Sequence, residues 1–323
     1  MSAPISILVM SAGSMPGVAV INALKGQSEV PVRVVAADMG NLSPGFLLAD
    51  GSRVVPSASH PRFIEEVRQI CREEGIQVLF PIIDEELQVF ADHIGVFASD
   101  GVRVISNSAE TVRIAKDKSL TAQKCVELGV LSPASLLKEE LGTRPLPPFP
   151  LIIKPRDGRG SVGVYTARNQ RELEFYLDLV PNALIQQKIA GPEYTLDVLT
   201  DFDGRVLSIV PKERMQVKSG MQVKGRTLND PELIAYGVDM ATRFRVFPRG
   251  NIQCIRGEDG RLYLIEINPK FAASLPFTVE AGVNMPLMLV QMHLGKTFEP
   301  RIGQFEAGLV MMRCWRELYV RES

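Results

Sequence analysis

The first hundred residues alternate short apolar runs with amphipathic segments, and this alternation constrains the fold more than any other feature of the chain. The apolar runs have the length of buried strands, and they lie at Ile5–Met10, Val32–Ala37, Val78–Ile83 and Val102–Ile105. Helical spacing of apolar residues marks the segments between them, at Gly17–Lys25, Phe63–Glu74 and Glu86–Phe97. Strands that alternate with helices pair in parallel. The N-terminal part is therefore predicted to be a Rossmann-like α/β layer.

Length and composition exclude several classes of protein. A chain of 323 residues exceeds what one hydrophobic core usually organises, so two or three compact units are expected. The net charge of −1 lacks the basic excess of a nucleic-acid binder. The apolar run ISILVM is too short for a membrane span and runs into a glycine turn, so it is interpreted as a strand and not a signal peptide. We expect a cytoplasmic protein without nucleic-acid or membrane partners.

The four cysteines show no metal-binding or redox pattern. They form no C-x-x-C pair and have no histidine ligands nearby, and they lie at Cys71, Cys125, Cys254 and Cys314. We expect buried, reduced thiols without a catalytic role.

The turn after the first strand, SAGSMPG, partly matches a dinucleotide-binding pattern, and Asp38 lies where a ribose-binding acid would be expected. However, Ser11 occupies the first glycine position and Pro16 a variable one. A tight strand-to-helix turn needs only Gly13 and Gly17. The pattern favours that turn over a nicotinamide or flavin site.

Three acids, Asp84 to Glu86, directly follow the strand LFPII. They lie at the carboxyl edge, where open α/β sheets bind ligands, so an amine substrate could bind there. Acids are also favoured in the first turn of a helix. We prefer this second interpretation.

A long helical pattern from Ser108, a suitable N-cap, to Gly129 is predicted to connect two domains. On its own, the pattern gives Lys116 and Lys118 no role beyond solvated charge. The stretch RPLPPFP then interrupts regular structure before the strand PLIIKP.

The segment IIKPRDGRGSVGV places a lysine before a glycine-rich loop. Lys154 ends the strand, Arg156 and Arg159 add positive charge, and the loop residues are Gly158, Gly160, Ser161 and Gly163. Glycines let consecutive N–H groups surround an anion, so phosphate is a suitable ligand. The alternative is a plain hairpin turn between Leu151–Lys154 and Val162–Thr166.

Two further segments carry charge. In LIQQKIAGPEYTLDV, Glu193 and Asp197 share one strand face, and either could bind ribose hydroxyls. A basic loop follows around Gly220, with Lys212, Arg214, Lys218, Lys224 and Arg226. Such a loop would attract an anionic substrate, although a surface charge run explains it equally well.

The stretch NIQCIRGEDGRLYLIEINPKFAAS, residues 251–274, contains the clearest metal signal. Glu266 and Asn268 lie two apart in an apolar strand, so both side chains project from one face. Oxygen ligands suit a hard cation. The C-terminal segment, FEAGLVMMRCWRELYVRES, is predicted to add one strand or helix to the core and carries no predicted site.

Four motifs in order carry a family resemblance: DKSLT at 117–121, IIKPRDGRGSVGV at 152–164, IQQKIAGPEYTLDV at 185–198 and NIQ…YLIEINPKF over 251–271. From about Ile5 to Leu294 the chain resembles ATP-grasp proteins such as the carbamoyl phosphate synthase large subunit and biotin carboxylase. The resemblance implies an α/β chain with three parts. The first is a Rossmann-like parallel-sheet domain over 1–108. A two-part α+β ATP-grasp clamp follows, with a small subdomain that carries the glycine-rich phosphate loop over 109–190 and a large subdomain that carries the metal site over 191–323.

The resemblance also implies site residues. It assigns the nucleotide phosphates to Lys118, Lys154 and the glycine loop, and the ribose to Glu193. It assigns the adenine hinge to Gln187, Lys188 and Ile189. It assigns Mg²⁺, one or two ions with Mn²⁺ as an alternative, to Gln253, Glu266 and Asn268. Arg214, Lys270 and Asn268 are the implied catalytic residues.

One position departs from the family pattern. Relatives usually carry Arg after the Asn-Pro pair, whereas Lys270 stands here and lacks the bidentate fork of a guanidinium. The departure leaves catalytic efficiency and substrate identity open.

The implied activity is ATP- and Mg²⁺-dependent ligation of a small-molecule carboxylate to an amine through an acyl phosphate. Alternatives are carbamoyl-phosphate-synthase-like activation of bicarbonate or carbamate, a non-catalytic nucleotide-binding module, and a nicotinamide oxidoreductase. A homodimer is the default assembly because two-fold assemblies are common.

Overall fold

A computed structural model describes residues 3–158, 160 and 162–321 of the chain. Its elements are, in order, β1 Ile5–Val9, α1 Met15–Lys25, β2 Val32–Asp38, α2 Pro44–Leu48, β3 Gly51–Val54, α3 Phe63–Glu73, β4 Val78–Phe80, α4 Asp84–Asp92, α5 Ile94–Ser99, β5 Arg103–Val104, α6 Ala109–Lys116, α7 Lys118–Leu128, β6 Ser135–Leu137, a 3-10 helix Lys138–Glu140, β7 Leu151–Pro155, β8 Tyr165–Ala167, α8 Gln170–Leu179, β9 Ala183–Gln187, β10 Glu193–Thr200, β11 Val206–Lys218, β12 Met221–Thr227, α9 Pro231–Arg243, β13 Arg249–Arg256, β14 Leu262–Asn268, α10 Leu275–Glu280, α11 Met285–His293 and β15 Val310–Met312. Among these residues, no helix combines the length and apolarity needed to cross a membrane.

The N-terminal sheet has five parallel strands in the order β3-β2-β1-β4-β5, which confirms the predicted parallel layer. Ile7 and Val9 pack into one core cluster, whereas Leu8 and Met10 pack into another. Both faces of β1 are therefore covered, which explains its continuous apolar run. Two details differ from the prediction: the short strand β3 was not predicted, and the helix expected over 86–97 divides into α4 and α5.

The helical segment after this sheet is also divided, because Asp117 ends α6 and caps α7. The Asp117 carboxylate accepts from the N–H groups of Ser119 at 2.9 Å and Leu120 at 3.3 Å. A capping aspartate satisfies N–H groups that lack a helical partner, and this favours a helix start at the residue after it. The prediction of one uninterrupted helix was wrong, although Ser108 and Gly129 cap the two ends as expected.

A four-stranded antiparallel sheet, ordered β6-β9-β7-β8, carries the glycine-rich segment. Its strands β7 and β8 pair as the predicted hairpin, with Leu151 opposite Ala167. The glycine-rich segment is the connection between them.

The remaining sheet has six strands in the order β14-β13-β10-β11-β12-β15, all antiparallel. The prediction of a basic loop over 212–226 was wrong, because these residues form most of the β11–β12 hairpin. Ser219 and Gly220 make its turn with positive φ values of 49° and 74°, as the common two-residue hairpin turns require.

The sheets meet through shared packing. Ile7 of the parallel sheet belongs to the same core cluster as Leu275 of α10 and Leu289 of α11. Ala115 and Cys125, from α6 and α7, pack with Leu196 and Ile252 of the six-stranded sheet. The domain boundaries at 108/109 and 190/191 stay predictions.

The C-terminal segment adds a strand, as predicted, and Phe305 packs against two core clusters, but most of its described residues lie outside the core, contrary to the prediction. It adds β15 to the edge of the six-stranded sheet beside β12, and residues 313–321 contain neither helix nor strand. Trp315 and Tyr319 are 71% and 88% exposed. Cys314 is also exposed, which corrects its predicted burial, whereas Cys71, Cys125 and Cys254 are buried as expected.

Candidate active site

A cavity of about 620 Å³ lies where the three sheets meet. The predicted site residues that line it are Lys118, Lys154, Gly158, Gly160, Gln187, Lys188, Ile189, Glu193, Arg214, Gln253, Glu266, Asn268 and Lys270. Gly163 is not among its lining residues, and Ser161 lies outside the described residues. The fold thus brings together motifs that are separated by up to about 150 positions in sequence.

Lys154 is a buried cation with hydrogen-bonding capacity to spare. It lies on β7, its residue is 7% exposed, and Nζ donates to Gln186 Oε1 at 2.8 Å. Gln186 is itself oriented by donating to Ser135 Oγ at 2.9 Å. Burial lowers the pKa of Lys154 to about 8, although Glu266 opposes this shift. An ammonium has three donors, so two are left unused by the described part of the chain and could bind an anion in the cavity.

Lys118 is held at the start of the glycine loop. Its side-chain Nζ donates to the Gly158 carbonyl, and its backbone N–H donates to the Arg156 carbonyl at 3.0 Å. Lys118 therefore lies beside the loop that the sequence predicts for phosphate binding.

Arg156 does not add free charge to the glycine loop, contrary to the expectation. Its Nε donates to both oxygens of Asp117, at 2.8 and 2.7 Å, and Nη2 lies 2.6 Å from Oδ2. Burial raises the pKa of Asp117, but the bonds from Arg156 and Ser119 bring it below its ordinary value. The pair fixes the junction of α6 and α7 to β7.

The predicted adenine hinge follows β9 and is already partly used by the protein. Gln187 N–H donates to the Ala134 carbonyl at 2.8 Å, and Lys188 N–H donates to the Pro150 carbonyl at 3.2 Å. An adenine at this hinge would have to use other backbone groups of 187–189.

The predicted ribose acid and a predicted catalytic residue contact each other. Arg214 Nε lies 3.1 Å from Glu193 Oε1, an ion pair whose angle does not make a hydrogen bond. Arg214 Nη2 donates to the Gly220 carbonyl at 3.1 Å. Burial raises the pKa of Glu193, while Arg214 opposes that shift. Glu193 therefore reaches the cavity with part of its charge offset.

The three predicted metal ligands lie on neighbouring strands. Gln253 of β13 is directly opposite Glu266 of β14, and Asn268 lies two residues further along β14. All three line the cavity, whereas Ile267 between them is buried. Residues directly opposite in antiparallel strands have Cβ atoms about 5 Å apart. One carboxylate and two amide groups thus converge at one end of the cavity.

This donor set fits a hard cation that also binds phosphates. Glu266 forms no ion pair with another described residue, and Lys154 is the cation whose pKa it affects. Carboxylate and amide oxygens suit Mg²⁺, which usually takes one or two carboxylates and completes its ligands with substrate phosphates. Within the described ranges no group of three His, Cys, Asp or Glu residues could hold a metal by itself.

Lys270 pairs with Asp84, the first residue of α4. The predicted acidic helix start is confirmed by α4, and the same acid also lines the cavity. Glu86 instead turns inward, is 3% exposed and accepts from Ile83 N–H at 3.1 Å and Ser11 Oγ at 2.9 Å. Burial raises its pKa to about 7.

The predicted basic surface is divided by the hairpin. Lys212 is fully buried and donates to Asp197 Oδ2 at 2.6 Å, so both are held by each other. Lys218, Lys224 and Arg226 are exposed and do not line the cavity. Simple strand alternation does not account for this division, because all of these residues have even numbers; the register of the β11–β12 pair is irregular between Glu213 and Val217.

Asp38 does not project as a free ribose acid. Its Oδ2 accepts from Gly13 N–H at 2.6 Å, and Oδ1 accepts from Gly40 N–H at 3.3 Å. This geometry agrees with the preferred interpretation of the glycine segment as a tight turn.

Three candidate residues were not predicted from the sequence. Asn251 lines the cavity and donates to Asp197 Oδ1 at 2.7 Å; its position two residues before Gln253 could have revealed it. Arg249 is fully buried and donates to the carbonyls of Pro269, Pro81 and Ile105 at 3.0, 2.7 and 3.0 Å. Arg313 of the C-terminal segment donates to the carbonyl of Ala273, which lines the cavity, at 2.7 Å. Nothing in the local sequence distinguishes these two arginines from surface residues.

Comparison with protein families identifies two matching segments. Residues 180–313 match the family model described as "ATP-grasp in the biosynthetic pathway with Ter operon". Residues 7–105 match the model described as "PylC-like, N-terminal domain". Both agree with the predicted resemblance.

A curated relative is the carbamoyl phosphate synthase large chain of Vibrio cholerae, 25% identical over 313 residues. The alignment covers 88% of this chain and 29% of that protein. The chain thus spans less than a third of that relative's length.

Two solved structures share the fold. The biotin carboxylase domain of Hydrogenobacter thermophilus 2-oxoglutarate carboxylase, in complex with MgADP, ADP and bicarbonate, has a TM-score of 0.73 and 18% identity, covering 96% of this chain and 74% of that one. An L-amino acid ligase from Bacillus licheniformis has a TM-score of 0.74 and 16% identity, covering 95% and 78%. The comparisons confirm the resemblance to ATP-grasp proteins and the predicted fold class.

Proposed function

We propose that this chain is an ATP- and Mg²⁺-dependent carboxylate–amine ligase that works through an acyl phosphate. The observation that supports the proposal most is the convergence of Lys118, Lys154 and Glu266 on one cavity. A metal-bound triphosphate requires positive charges for its phosphates and oxygen ligands for its metal ion. Two lysines from separate motifs supply the charges, and a carboxylate with two amides supplies the ligands. The ATP-grasp resemblance of residues 180–313 supports the same activity.

The protein's own residues would bind and orient the nucleotide. Lys154 has two N–H donors for phosphate, and Lys118 lies beside Gly158 at the entrance of the glycine loop. Gln253, Glu266 and Asn268 would hold Mg²⁺, which offsets triphosphate charge when bound. Glu193 would bind the ribose, and residues 187–189 would border the adenine.

The reaction has two steps with a simple balance. A carboxylate oxygen attacks the γ-phosphorus, the bond to the β–γ bridging oxygen breaks, and ADP leaves. The amine nitrogen then attacks the acyl carbon, phosphate leaves with its oxygen, and the nitrogen loses a proton to solvent. Positioning and charge stabilisation drive such transfers. We assign stabilisation of the developing charge to Arg214 and Lys270; their position in the cavity lining supports this assignment.

The substrates we propose are a small-molecule carboxylate and an amine. A homodimer is proposed as the assembly, in line with the dimer described for the Hydrogenobacter thermophilus domain. Sedimentation velocity of the purified chain would test this assembly directly.

The test of the activity is turnover with matched variants. The protein would be incubated with Mg²⁺, ATP and either pooled amino acids or bicarbonate, and ADP, phosphate and ligated products would be quantified. We expect carboxylate-dependent ADP release that falls at least about tenfold in Glu266→Gln, since a charged ligand is lost. Glu258→Gln is the matched control, because Glu258 is exposed in the loop that connects β13 to β14. This variant should release ADP like the parent.

The alternatives give different results in this assay. ADP release with bicarbonate alone would favour the carbamoyl-phosphate-synthase-like activity. Calorimetric binding of MgATP without ADP release in any mixture would favour a non-catalytic module. Absence of MgATP binding would reject the ATP-grasp function altogether.

A further inference from the structure

Arg313 pairs with no carboxylate among the described residues, and it contacts Ala273, a residue of the cavity lining. It follows β15, and its N–H donates to the Val223 carbonyl at 2.9 Å, which fixes its backbone beside β12. Nη2 donates to the Ala273 carbonyl at 2.7 Å, and Nη1 lies 3.3 Å from Met15 Sδ. Ala273 lines the cavity, as does Pro16, the neighbour of Met15. The guanidinium therefore contacts one lining residue and the neighbour of another, although Arg313 is not itself among the lining residues.

The charge of Arg313 differs from that of the other cations in this region. Lys212 forms an ion pair with Asp197, and Arg214 forms an ion pair with Glu193. Burial alone lowers the pKa of Arg313, and no described carboxylate acts in the opposite direction. Its Nε is buried and donates to no described group. A desolvated guanidinium with unused donors is a favourable partner for an anion.

Gln222 supplies an acceptor on the same side of the sheet. It is 4% exposed and lines the cavity, and its Nε2 donates to the Glu213 carbonyl at 2.8 Å. Its Oε1 is buried and accepts no hydrogen bond from the residues that the structure describes. A buried acceptor without a donor is costly, so it gains most from a ligand that carries an N–H group.

The strand register and the position of Gln222 over Gly225 place these two side chains on the same face of the sheet. Gly225 of β12 is opposite Met311 of β15, so Arg313, two residues further, projects from the face of Gly225. The Gln222 side chain lies over Gly225, where a Cβ atom would meet Gln222 Nε2 at 1.8 Å. Glycine at 225 is what lets Gln222 lie on this face.

We propose that Arg313 and Gln222 bind the small-molecule substrate of the reaction, with Arg313 on a carboxylate and Gln222 Oε1 on an N–H donor. The substrate class is then an amino acid or a close analogue that carries both groups. This inference rests on the proposed ligase function and deepens it. The N-terminal end of α1, whose first residue is Met15, adds a favourable dipole for the carboxylate.

The test is binding of individual L-amino acids, their C-terminal amides and succinate, measured by calorimetry. The protein is first saturated with Mg²⁺ and a non-hydrolysable ATP analogue. We expect at least one amino acid to bind and its amide, which lacks the carboxylate, to bind more than about tenfold more weakly. Arg313→Met should weaken amino-acid binding by roughly tenfold to a hundredfold and leave analogue affinity within about twofold. Arg313→Lys should recover part of the loss because charge is retained.

Arg316→Met is the matched control, because Arg316 is exposed in the same segment. It should bind amino acids like the parent. Equal affinity in Arg313→Met and parent would overturn the inference, and so would an equal loss of analogue binding, which indicates a structural role. No amino acid bound by the parent would also overturn it. Binding of succinate but of no amino acid would overturn the assignment to Gln222. Analogue binding, measured first, reports separately on the proposed ATP function.

Discussion

Each antiparallel sheet contains a buried lysine, and the two differ in what holds them. In the six-stranded sheet, Lys212 donates to Asp197 Oδ2, Ser274 Oγ and Thr278 Oγ1 at 2.6, 3.1 and 2.9 Å. In the four-stranded sheet, Lys154 donates to one neutral amide oxygen at 2.8 Å. All three donors of the first lysine are used, whereas the described residues accept from only one donor of the second. The protein satisfies Lys212 by itself and leaves Lys154 to be satisfied by a ligand.

This difference shows that a buried positive charge does not by itself mark a binding site. Burial lowers the pKa of both lysines, so desolvation does not distinguish them. Their partners distinguish them: Asp197 gives Lys212 an opposite charge and a hydrogen bond that oppose the effect of burial, whereas Gln186 orients Lys154 without neutralising it. Buried charges are tolerated when they are paired, so an unpaired one facing a cavity is a functional candidate.

The largest effect should come from Lys212→Met. The substitution leaves Asp197 buried without its cation, and breaking one partner of a buried ion pair costs about 3–5 kcal/mol. Urea denaturation should show this loss in the free energy of unfolding. Lys224→Met, an exposed change on β12, should stay within about 0.5 kcal/mol of the parent. A loss of unfolding free energy as small as that of Lys224→Met would mean that the Lys212–Asp197 pair is not needed for stability. The contrast drawn between Lys212 and Lys154 would then be wrong.

Lys154→Met should have the opposite profile. It removes a desolvated charge with one neutral partner, so the free energy of unfolding should not fall as it does in Lys212→Met. Affinity for MgATP should drop by about 1.5–3 kcal/mol, because a charge-assisted contact is lost. Calorimetric titration with a non-hydrolysable analogue measures this drop. Unchanged affinity would contradict the role of Lys154 as a phosphate ligand.

The pH dependence of the same lysine sharpens the comparison. Its pKa is about 8 in the folded chain and 10.5 ordinarily. Between these values the unfolded chain binds the proton that the folded chain has released, so stability rises with pH. This contribution is complete above pH 10.5 and is lost as pH falls through about 8.

Analogue binding should change in the opposite direction, because phosphate requires the protonated ammonium. Affinity should fall above about pH 8, by at most about tenfold per pH unit, with proton uptake on binding. Calorimetry at pH 7, 8 and 9 in buffers of different ionisation enthalpy would measure both effects. In Lys154→Met, neither the fall in affinity nor the proton uptake should occur between pH 7 and pH 9. If either effect persists, another group is responsible for it.

Lys270 should show the smallest effect. It is intermediate between the other two lysines, because it is partly exposed and paired with Asp84 while lining the cavity. Lys270→Arg keeps the charge and the acidic partner, so unfolding free energy and ADP release should change by no more than about 0.5 kcal/mol. Steady-state kinetics beside Lys270→Met would check this. A large gain in the Arg variant would show that the guanidinium fork matters for this substrate.

Local sequence was sufficient for the elements that local physics decides. The continuous apolar runs of the first hundred residues predicted a parallel sheet because strands covered on both faces have no polar alternation. The Glu266-x-Asn268 spacing predicted a shared strand face because the strand period is two. Helix caps at Ser108 and Gly129 followed from ordinary capping preferences. The convergence on one cavity followed from the family resemblance rather than from spacing.

The tertiary structure decided which charged side chains form ion pairs with one another. The basic segment 212–226 looked uniform in sequence, yet Lys212 pairs with Asp197, Arg214 meets Glu193, and Lys224 faces solvent. Arg313 carried no local signal, because its position depends on β15 pairing with β12 at the edge of the sheet. Sequence determines which charges a segment carries, and only long-range packing determines which of them are neutralised. Lys154 and Arg313, which pair with no described carboxylate, are two of the charges that we assign to ligands, whereas Arg249, also unpaired, is satisfied by backbone carbonyls.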